Sequence, residues 1–241
     1  MEEKTILVAD GDARTRADIR ILLTEENHRI IEAETGPQAL AKLTGEVDLV
    51  ILNLLLPELS GLQVCEKIRT FSTVPILFLI PRIREKENVS GLAAGGDDCI
   101  CTPFSSAEFR VRVNALLRRY CVYRGRAQQA VNKEEAALSR GRVKLSLREE
   151  RVWVKGREVF LTEIEYSILR LLMENPEKTF SVQKIYELVW GKTKSNGAET
   201  VWVHVRNLRL KIEEDPSHPQ YLKTVWGRGY RFEVSSHRKK A

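Results

Sequence analysis

The polar residues best suited to chemistry in the first half of the chain follow short apolar runs. Asp10 and Asp12 come after the run ILVA, and Asn53 ends the apolar run that opens the segment VILNLLLPELSG. A carboxylate can bind a hard cation such as Mg²⁺ or attack phosphorus, whereas an amide is neutral and a poor nucleophile. Asn53 therefore cannot act as the nucleophile that a carboxylate in its place could be.

The elements that carry these residues alternate between strands and helices. Strands are predicted at residues 6–10, 28–32, 49–53, 75–80 and 98–101, and helices at 14–25, 36–43, 60–70, 86–94 and 105–119. This alternation predicts an α/β fold, a five-stranded doubly wound parallel sheet. Functional residues of such sheets gather at the carboxyl ends of the strands, where Asp10, Asn53, Ile80 and Thr102 are expected.

The second half of the chain has a different pattern of elements. Residues 121–140 carry few apolar anchors and are interpreted as a linker, partly helical, that separates a domain at 1–120 from one at 141–236. The second domain is predicted to contain strands at 143–147 and 151–156, helices at 161–174, 181–188 and 198–214, and a closing hairpin at 221–234. Two strands, three helices and a terminal hairpin are typical of a winged helix-turn-helix.

Charge is distributed unevenly between the two halves. Residues 1–122 contain 15 Lys and Arg against 18 Asp and Glu, and the remainder contains 24 against 15, so the net charges are −3 and +9. A polyanion would bind to the basic half. A basic surface without a nucleic-acid role is the alternative unless a docking motif is present.

Composition also argues against several classes of protein. No apolar run approaches the ~20 residues of a membrane helix, and the acidic N-terminus does not resemble a signal peptide, so we expect a cytoplasmic protein without membrane association. No nucleophile stands beside a base, so neither an enzymatic activity nor a cofactor is predicted. The cysteines lack the paired spacing of a zinc site and are interpreted as small buried residues, with a redox or metal role left open for Cys99 and Cys101.

The first half resembles the receiver domain of bacterial response regulators, which has a flavodoxin-like fold. Matching segments are LPELSGLQV, GLAAGGDD and the Pro-Phe after the fifth strand. The resemblance implies an aspartate that accepts a phosphoryl group, two acids that hold Mg²⁺, a Thr or Ser that contacts the phosphate, and a lysine. The residues at these positions are Asn53, Asp10 with Gly11, Ile80 and Thr102. Only Asp10 is retained, so we expect a degenerate receiver without a bound metal.

The resemblance also implies a dimer interface on the fourth helix, fifth strand and fifth helix, as in the OmpR/PhoB branch. The charged residues in matching places are Asp97, Asp98, Glu108, Arg112 and Arg119, and Asp98 with Arg112 is the pair most expected to form. Exposed ion pairs contribute only about 0 to 1 kcal/mol each, so nearby apolar surface must supply most of the dimer's stability. Solvated faces that bind nothing are the alternative.

The longest predicted helix of the second domain has one apolar stripe for the core. The stripe consists of Val201, Val205, Leu208 and Ile212. Basic and amide side chains on the other face suit phosphates and base edges, and Val203 suits a thymine methyl group. The residues of that face are Thr200, Val203, His204, Arg206, Asn207, Leu210 and Lys211. An ordinary amphipathic surface helix is the alternative.

The terminal hairpin favours DNA binding, because Gly227 and Gly229 flank Arg228 at a tight tip that projects a cation. A cation on a thin projection suits the narrow minor groove. The segment from about Val143 to Val234 resembles the OmpR/PhoB winged-helix domain. The resemblance implies phosphate contacts from Trp190, Thr200, His204, Arg206, Arg209 and Tyr230, base contacts from Val203 and Asn207, and a place near the wing tip for Arg228.

Two residues depart from this pattern, because Glu199 and Trp226 stand where the family has basic residues. Trp226 still belongs to the predicted DNA-binding surface because of its place on the wing. The sequence preference of a relative therefore cannot be transferred to this chain. Residues 191–197 occupy the place from which the family contacts RNA polymerase, which makes the polymerase a candidate partner.

These patterns predict a transcription regulator that binds two-site double-stranded DNA as a homodimer, through its receiver, without aspartyl phosphorylation and without a cognate histidine kinase. A conventional phosphorylation-dependent regulator is one alternative, which the four departures in the pocket disfavour. A second alternative is a protein-interaction adaptor whose receiver sequesters partners and whose winged helix binds RNA polymerase more than DNA. Glu199 and Trp226 favour that alternative.

Overall fold

The computed structural model describes residues 3–129, 137–191 and 198–234. The chain divides into two compact units, Met1–Tyr120 and Cys121–Ala241. No helix in the described ranges has the length and apolar character needed to cross a membrane.

The first unit is built on a parallel sheet, as predicted. Its strands are β1 (Thr5–Ala9), β2 (Arg29–Ala33), β3 (Leu49–Asn53), β4 (Ile76–Pro81) and β5 (Asp98–Thr102). They lie in the order β2-β1-β3-β4-β5, and every neighbouring pair is parallel. Strands buried on both faces need nearly continuous apolar runs, and every residue of Ile6–Ala9, Leu49–Leu52 and Ile76–Ile80 is buried.

A helix follows each strand of this sheet, and the first four helices lead to the next strand. They are α1 (Ala13–Thr24), α2 (Gly36–Lys42), α3 (Gly61–Arg69), α4 (Asn88–Ala93) and α5 (Ser106–Gln129). Polar side chains define where the first three begin, because Asp12, Thr35 and Ser60 are their N-caps. Ser60 and Gln63 form a reciprocal capping box.

Two helical segments differ from the predicted bounds. The helix predicted at 86–94 is preceded by a 3₁₀ helix, Arg82–Glu87, with a kink at Arg84, where φ is −114°. The helix predicted to end at 119 continues to Gln129. Charged and small residues reduce the apolar signal in this segment, but they do not stop a helix that contains no proline.

The second unit contains a small sheet, three helices and a hairpin. Its first sheet is antiparallel and consists of β6 (Ala137–Arg140), β7 (Val143–Ser146), β8 (Val152–Val154) and β9 (Arg157–Val159). The helices α6 (Glu163–Glu174), α7 (Val182–Trp190) and α8 (Ala198–Ile212) follow, and the hairpin consists of β10 (Leu222–Val225) and β11 (Gly229–Phe232). This is the predicted winged helix-turn-helix, extended by an N-terminal sheet.

The boundary predicted between linker and second domain requires a correction. Residues 137–140 were assigned to the linker but form β6, which pairs with β7 from Ala137–Ser146 to Arg140–Val143. The short segment ALSR has only two apolar residues, so its own sequence gives little strand signal, and the neighbouring strand supplies the pairing. Strand β9 was likewise not predicted.

Candidate functional site

Asp10 and Asn53 form a hydrogen-bonded pair at the carboxyl edge of the parallel sheet. The Asn53 side chain donates a hydrogen bond from Nδ2 to Asp10 Oδ2 at 2.7 Å, and the backbone N–H of Asp12 donates to Asp10 Oδ1 at 2.8 Å. Asn53 Oδ1 in turn accepts a hydrogen bond from the Leu55 backbone N–H at 2.8 Å. Both carboxylate oxygens of Asp10 and the amide oxygen of Asn53 are thus already bonded within the protein.

Burial and hydrogen bonding act on Asp10 in opposite directions. The side chain is almost wholly buried, and this desolvation raises its pKa above the ordinary value. Hydrogen bonds from Asp12 and Asn53 stabilise the carboxylate and lower the pKa, but burial has the larger effect. The amide at position 53 therefore stabilises a buried charge that a carboxylate in its place would repel.

Arg16, which the sequence analysis did not select, ties the end of β1 to the end of β2. Its Nη1 donates to the carbonyl of Asp10 at 2.8 Å and its Nη2 donates to Glu34 at 2.7 Å, while Nε contacts Glu32 at 3.2 Å. The side chain is only 8% exposed. Its spacing from the buried Ile19 and Leu23 on α1 placed it on the inward face, which was the available signal.

The remaining predicted pocket residues do not complete a metal or phosphate site. Asp12 caps α1 through hydrogen bonds from Arg14 and Thr15, which lower its pKa. Ile80 is fully buried, and the Thr102 hydroxyl lies 3.5 Å from the Ile80 carbonyl. A cluster of three or more His, Cys, Asp or Glu side chains that could hold a metal ion is absent from the described residues.

The resemblance to receiver domains implies that this site holds Mg²⁺ and accepts a phosphoryl group, and the contacts above test both expectations. Mg²⁺ requires several hard oxygen ligands in near-octahedral geometry. Asp10 is the only carboxylate left at the ligand positions, and internal hydrogen bonds already occupy both of its oxygens. The residues present do not fit Mg²⁺, and the amide of Asn53 does not fit the role of phosphoryl acceptor.

The charged residues predicted at a dimer interface make their contacts within one chain. Asp98 accepts hydrogen bonds from Arg112 Nη1 at 3.0 and 2.9 Å, and Arg112 also binds Glu108 at 2.9 Å. Asp98 is 2% exposed, whereas the Glu108 side chain is 47% exposed. The expected Asp98–Arg112 pair thus forms inside the receiver, and Glu108 is the partner that faces solvent. The side chain of Arg119 lies outside the described residues.

Asp97 requires a correction, because it is fully buried and is not part of a surface. It accepts hydrogen bonds from Arg69 Nη2 at 2.7 Å and from the Ile76 backbone N–H at 2.8 Å. Arg69 also donates to the carbonyls of Gly95 at 2.8 Å and Val74 at 2.7 Å. The pair joins α3 to the starts of β4 and β5, and neither sequence segment alone indicates the partner.

The predicted DNA-reading face of α8 also requires a correction. Val203 and His204 are 0% and 1% exposed, and Thr200 and Asn207 are each 7% exposed. Helix α8 packs against both α6 and α7, so burial extends beyond the single predicted stripe. Val203 is therefore not available to a thymine methyl group in this structure. The side chain of Glu199 lies outside the described residues.

Three aromatic or basic residues assigned to phosphate contacts serve the interior. Trp190 is 1% exposed and stacks on Tyr186 at 5.1 Å, with the His204 ring 5.5 Å away. Arg209 donates to the Leu222 carbonyl at 2.7 Å and lies over the ring of Tyr230, and burial lowers its pKa. Tyr230 is 6% exposed. These side chains pack α8 against α7 and hydrogen-bond it to the hairpin.

Lys211 of the predicted face is exposed, but its ammonium pairs with the buried Glu165 at 2.6 Å. We take five other exposed residues as the candidate nucleic-acid interface. On α8, Arg206 is exposed between Trp202 and Leu210, which are 51% and 56% exposed. On the wing, Trp226 is 90% exposed and Arg228 is exposed. Trp202 was not selected from the sequence, although it precedes Arg206 by one helical turn and so shares its face. We call these five residues the α8–wing surface.

Comparisons with known proteins agree with both units. Residues 6–114 match the family described as "Response regulator receiver domain", and residues 156–232 match "Transcriptional regulatory protein, C terminal". The transcriptional regulatory protein YrkP of Bacillus subtilis, itself described as uncharacterized, is 43% identical across 95% of this chain and 98% of its own. Regulatory protein VanR of Enterococcus faecium is 35% identical across 95% and 98%, respectively.

A solved structure is similar in fold. A point mutant of RitR has a TM-score of 0.75 and 22% identity, with 95% of this chain and 99% of that chain covered. At this identity the likeness concerns the fold alone. The two matched regions and the full-length relatives together show that this chain belongs to the OmpR/PhoB-type response regulators, a family of transcriptional regulators with a receiver domain and a C-terminal DNA-binding domain.

Proposed function

We propose that this response regulator binds double-stranded DNA as a homodimer without phosphorylation of an aspartate. The observation that carries the proposal is the hydrogen bond of Asn53 to Asp10 at 2.7 Å. The amide occupies the position of the phosphoryl acceptor and uses the carboxylate that would otherwise be free for Mg²⁺. Neither a cognate histidine kinase nor a metal is required, and the site of action is the cytoplasm.

DNA binding is assigned to the α8–wing surface. Arg206 and Arg228 come from two separate elements, and both side chains are exposed. A helix in the major groove and a cation on a hairpin in the minor groove are a common pairing of contacts in protein–DNA recognition. Trp202, Leu210 and Trp226 add apolar area suited to sugars and thymine methyl groups.

Dimerisation is assigned to the receiver, on the predicted face of α4, β5 and α5, together with the 3₁₀ helix before α4. Ile83 in the 3₁₀ helix is 94% exposed and Val111 on α5 is 47% exposed, so each of these two elements offers apolar surface. Glu108 is its half-exposed acid. Asp97 and Asp98 bind arginines of the same chain, so they are not available to a second protomer. Apolar contacts therefore contribute more to the stability of this dimer than the charge pattern alone suggests.

The test is selection of bound DNA from a random pool by untreated protein, with the number of chains on the winning site measured by sedimentation at fixed salt. The expected result is a repeated half-site bound by two chains, with no change after incubation with acetyl phosphate. Acid-labile phosphate on the protein, with tighter DNA binding, would instead establish a phosphorylation-dependent regulator.

The exposed tryptophans favour one second candidate function, a protein-interaction adaptor that binds RNA polymerase more than DNA. Trp226 at 90% exposure is an unusual residue for a wing that serves phosphate contacts alone. Replacement of Arg206 and Arg228 together by alanine discriminates between the two. Specific DNA binding by the parent that is lost in this variant supports the proposed function, whereas polymerase binding that is stronger than DNA binding and unchanged in the variant supports the adaptor. Residues 192–197, most of the predicted polymerase loop, lie outside the described residues.

A further inference from the structure

A basic groove lies beside the wing, separate from the exposed face of α8. It has a volume of about 520 Å³ and is lined by Lys178, Thr179, Phe180, Ser181, Lys184 and Arg228. Three of these six residues are cations and none is acidic. The cations come from three different segments, namely the loop before α7, the first turn of α7 and the wing tip. This composition suits an anion held by several charges at once.

The backbone fixes the wing against the loop before α7. Phe180 and Tyr230 form a β-bridge, in which each backbone N–H donates to the other's carbonyl at 2.9 Å. A Cβ atom on Gly229 would lie 2.0 Å from the Phe180 carbonyl oxygen, so only glycine permits this approach. The bridge places Arg228 beside residues 178–184. The groove is therefore built into the fold and does not depend on long side chains alone.

Weak contacts hold both lysines of the groove in place, and their ammonium groups can still bind an anionic ligand. The Lys178 ammonium lies 5.0 Å from the centroid of the Phe180 ring, a cation–π contact that leaves its N–H groups free to point outward. Lys184 contacts Glu187 at 3.4 Å, but its side chain is 54% exposed and such pairs are weak. Ser181 caps α7, whose first-turn N–H groups add partial positive charge at this end of the groove.

We infer that this groove binds a backbone phosphate of the same DNA duplex that the wing contacts. Arg228 belongs to both surfaces, so a duplex in contact with the wing tip brings its phosphates next to Lys178 and Lys184. The inference rests on the proposed DNA binding and extends its footprint from α8 and the wing to the loop before α7. Phosphate contacts of this kind position the protein and carry no sequence information.

The test replaces Lys178 and Lys184 by glutamine and leaves Arg228 in place. The double variant should bind the selected site roughly 10-fold more weakly at about 150 mM salt, and the slope of log K against log salt should fall in magnitude by about 1 to 2. The loss should be equal on specific and unrelated DNA. The matched control is Arg148→Gln with Arg157→Gln, which removes the same charge from exposed residues elsewhere in the second unit.

Phosphate ethylation interference locates the contact. One ethylated phosphate should weaken binding of the parent protein and of the control, while it leaves the Lys178 and Lys184 double variant unchanged. Equal affinities and salt slopes for the double variant and the control would overturn the inference, whereas absence of DNA binding by the parent protein would overturn the proposed function itself. Both variants should retain the tryptophan emission of the parent, since all four tryptophans lie in the second unit.

Discussion

The side chain of Asn53 donates a 2.7 Å hydrogen bond to Asp10, whose other carboxylate oxygen accepts the Asp12 backbone N–H. Two acids in these positions would repel each other and attract a cation. An acid beside an amide forms a hydrogen bond instead, because the amide N–H donates to the buried carboxylate. The receiver fold is thus retained around an acid–amide pair whose hydrogen bonds are made within the protein.

Asn53→Asp is expected to destabilise the receiver without restoring phosphorylation. The substitution replaces a donor by a second carboxylate beside Asp10, at a cost of about 1–3 kcal/mol at neutral pH. The loss should shrink as the pH falls and one carboxyl becomes protonated.

Unfolding followed by far-UV circular dichroism measures the change, with tryptophan emission reporting the second unit alone. Asn53→Ala is the control: it removes the donor to Asp10 without adding a second carboxylate, so its loss of stability should depend less steeply on pH. Acid-labile phosphate on Asn53→Asp would contradict the prediction.

Asp10 should make the receiver more stable toward mild acid, relative to an Asp10→Asn variant. Burial raises its pKa in the folded state above the unfolded value. The stabilising contribution is therefore fully present below the unfolded pKa and is lost as the pH rises through the folded pKa. Unfolding free energies of parent and variant, compared between about pH 4 and 7, should show this gain on acidification.

Asp12 offers a control of opposite sign. Hydrogen bonds from Thr15 and Arg14 lower its pKa, so its contribution is present above the unfolded pKa and is lost as the pH falls through the folded pKa. The difference between parent protein and Asp12→Asn should therefore shrink in acid. The same pH trend for both variants would contradict the assignment of burial as the dominant cause at Asp10.

Removal of Arg69 should strongly destabilise the first unit. Arg69→Ala leaves Asp97, which is fully buried, without its cationic partner, at an expected cost of about 3–5 kcal/mol. Arg69→Met combined with Asp97→Ala should recover part of this loss, because no buried charge is left. Arg20→Ala, which breaks an exposed pair with Glu32, should cost less than about 1 kcal/mol. A similar cost for both arginines in urea unfolding would show that burial of the pair does not govern its contribution.

Substitution of Arg206 should weaken DNA binding alone, whereas substitution of Arg209 should lower the stability of the second unit. Arg206→Ala removes an exposed cation and should lower affinity for the selected site by about 1–3 kcal/mol, with the unfolding temperature unchanged. Arg209→Ala leaves the Leu222 carbonyl and the Thr224 hydroxyl without their shared donor, so it should lower the unfolding temperature. Fluorescence-monitored melting and affinity at fixed salt measure both effects. Equal melting temperatures for the two variants would contradict the structural role of Arg209.

The sequence predicts the architecture and the loss of phosphate chemistry, because both depend on local patterns. Apolar runs end at Asp10 and Asn53, and the parallel order brings these ends together. The sequence does not reveal Arg16 or Arg69 as partners of distant acids, since their ion pairs reach Glu34, 18 positions away, and Asp97, 28 positions away. Val203 lies on the side of α8 opposite the core stripe and is nevertheless buried, which helical periodicity cannot anticipate.

Gly229 holds the wing against the loop before α7. Gly229 has φ of +125° and lies against the Phe180 carbonyl, so Gly229→Ala requires the β-bridge to open. Gly227 has φ of +68° with open space around it, so Gly227→Ala should cost only the roughly 1–2 kcal/mol of a left-handed conformation. Gly229→Ala should cost more than this in fluorescence-monitored unfolding and should weaken DNA binding as well, because Arg228 is displaced from the groove. If both variants unfold and bind alike, the Phe180–Tyr230 bridge does not determine the position of Arg228.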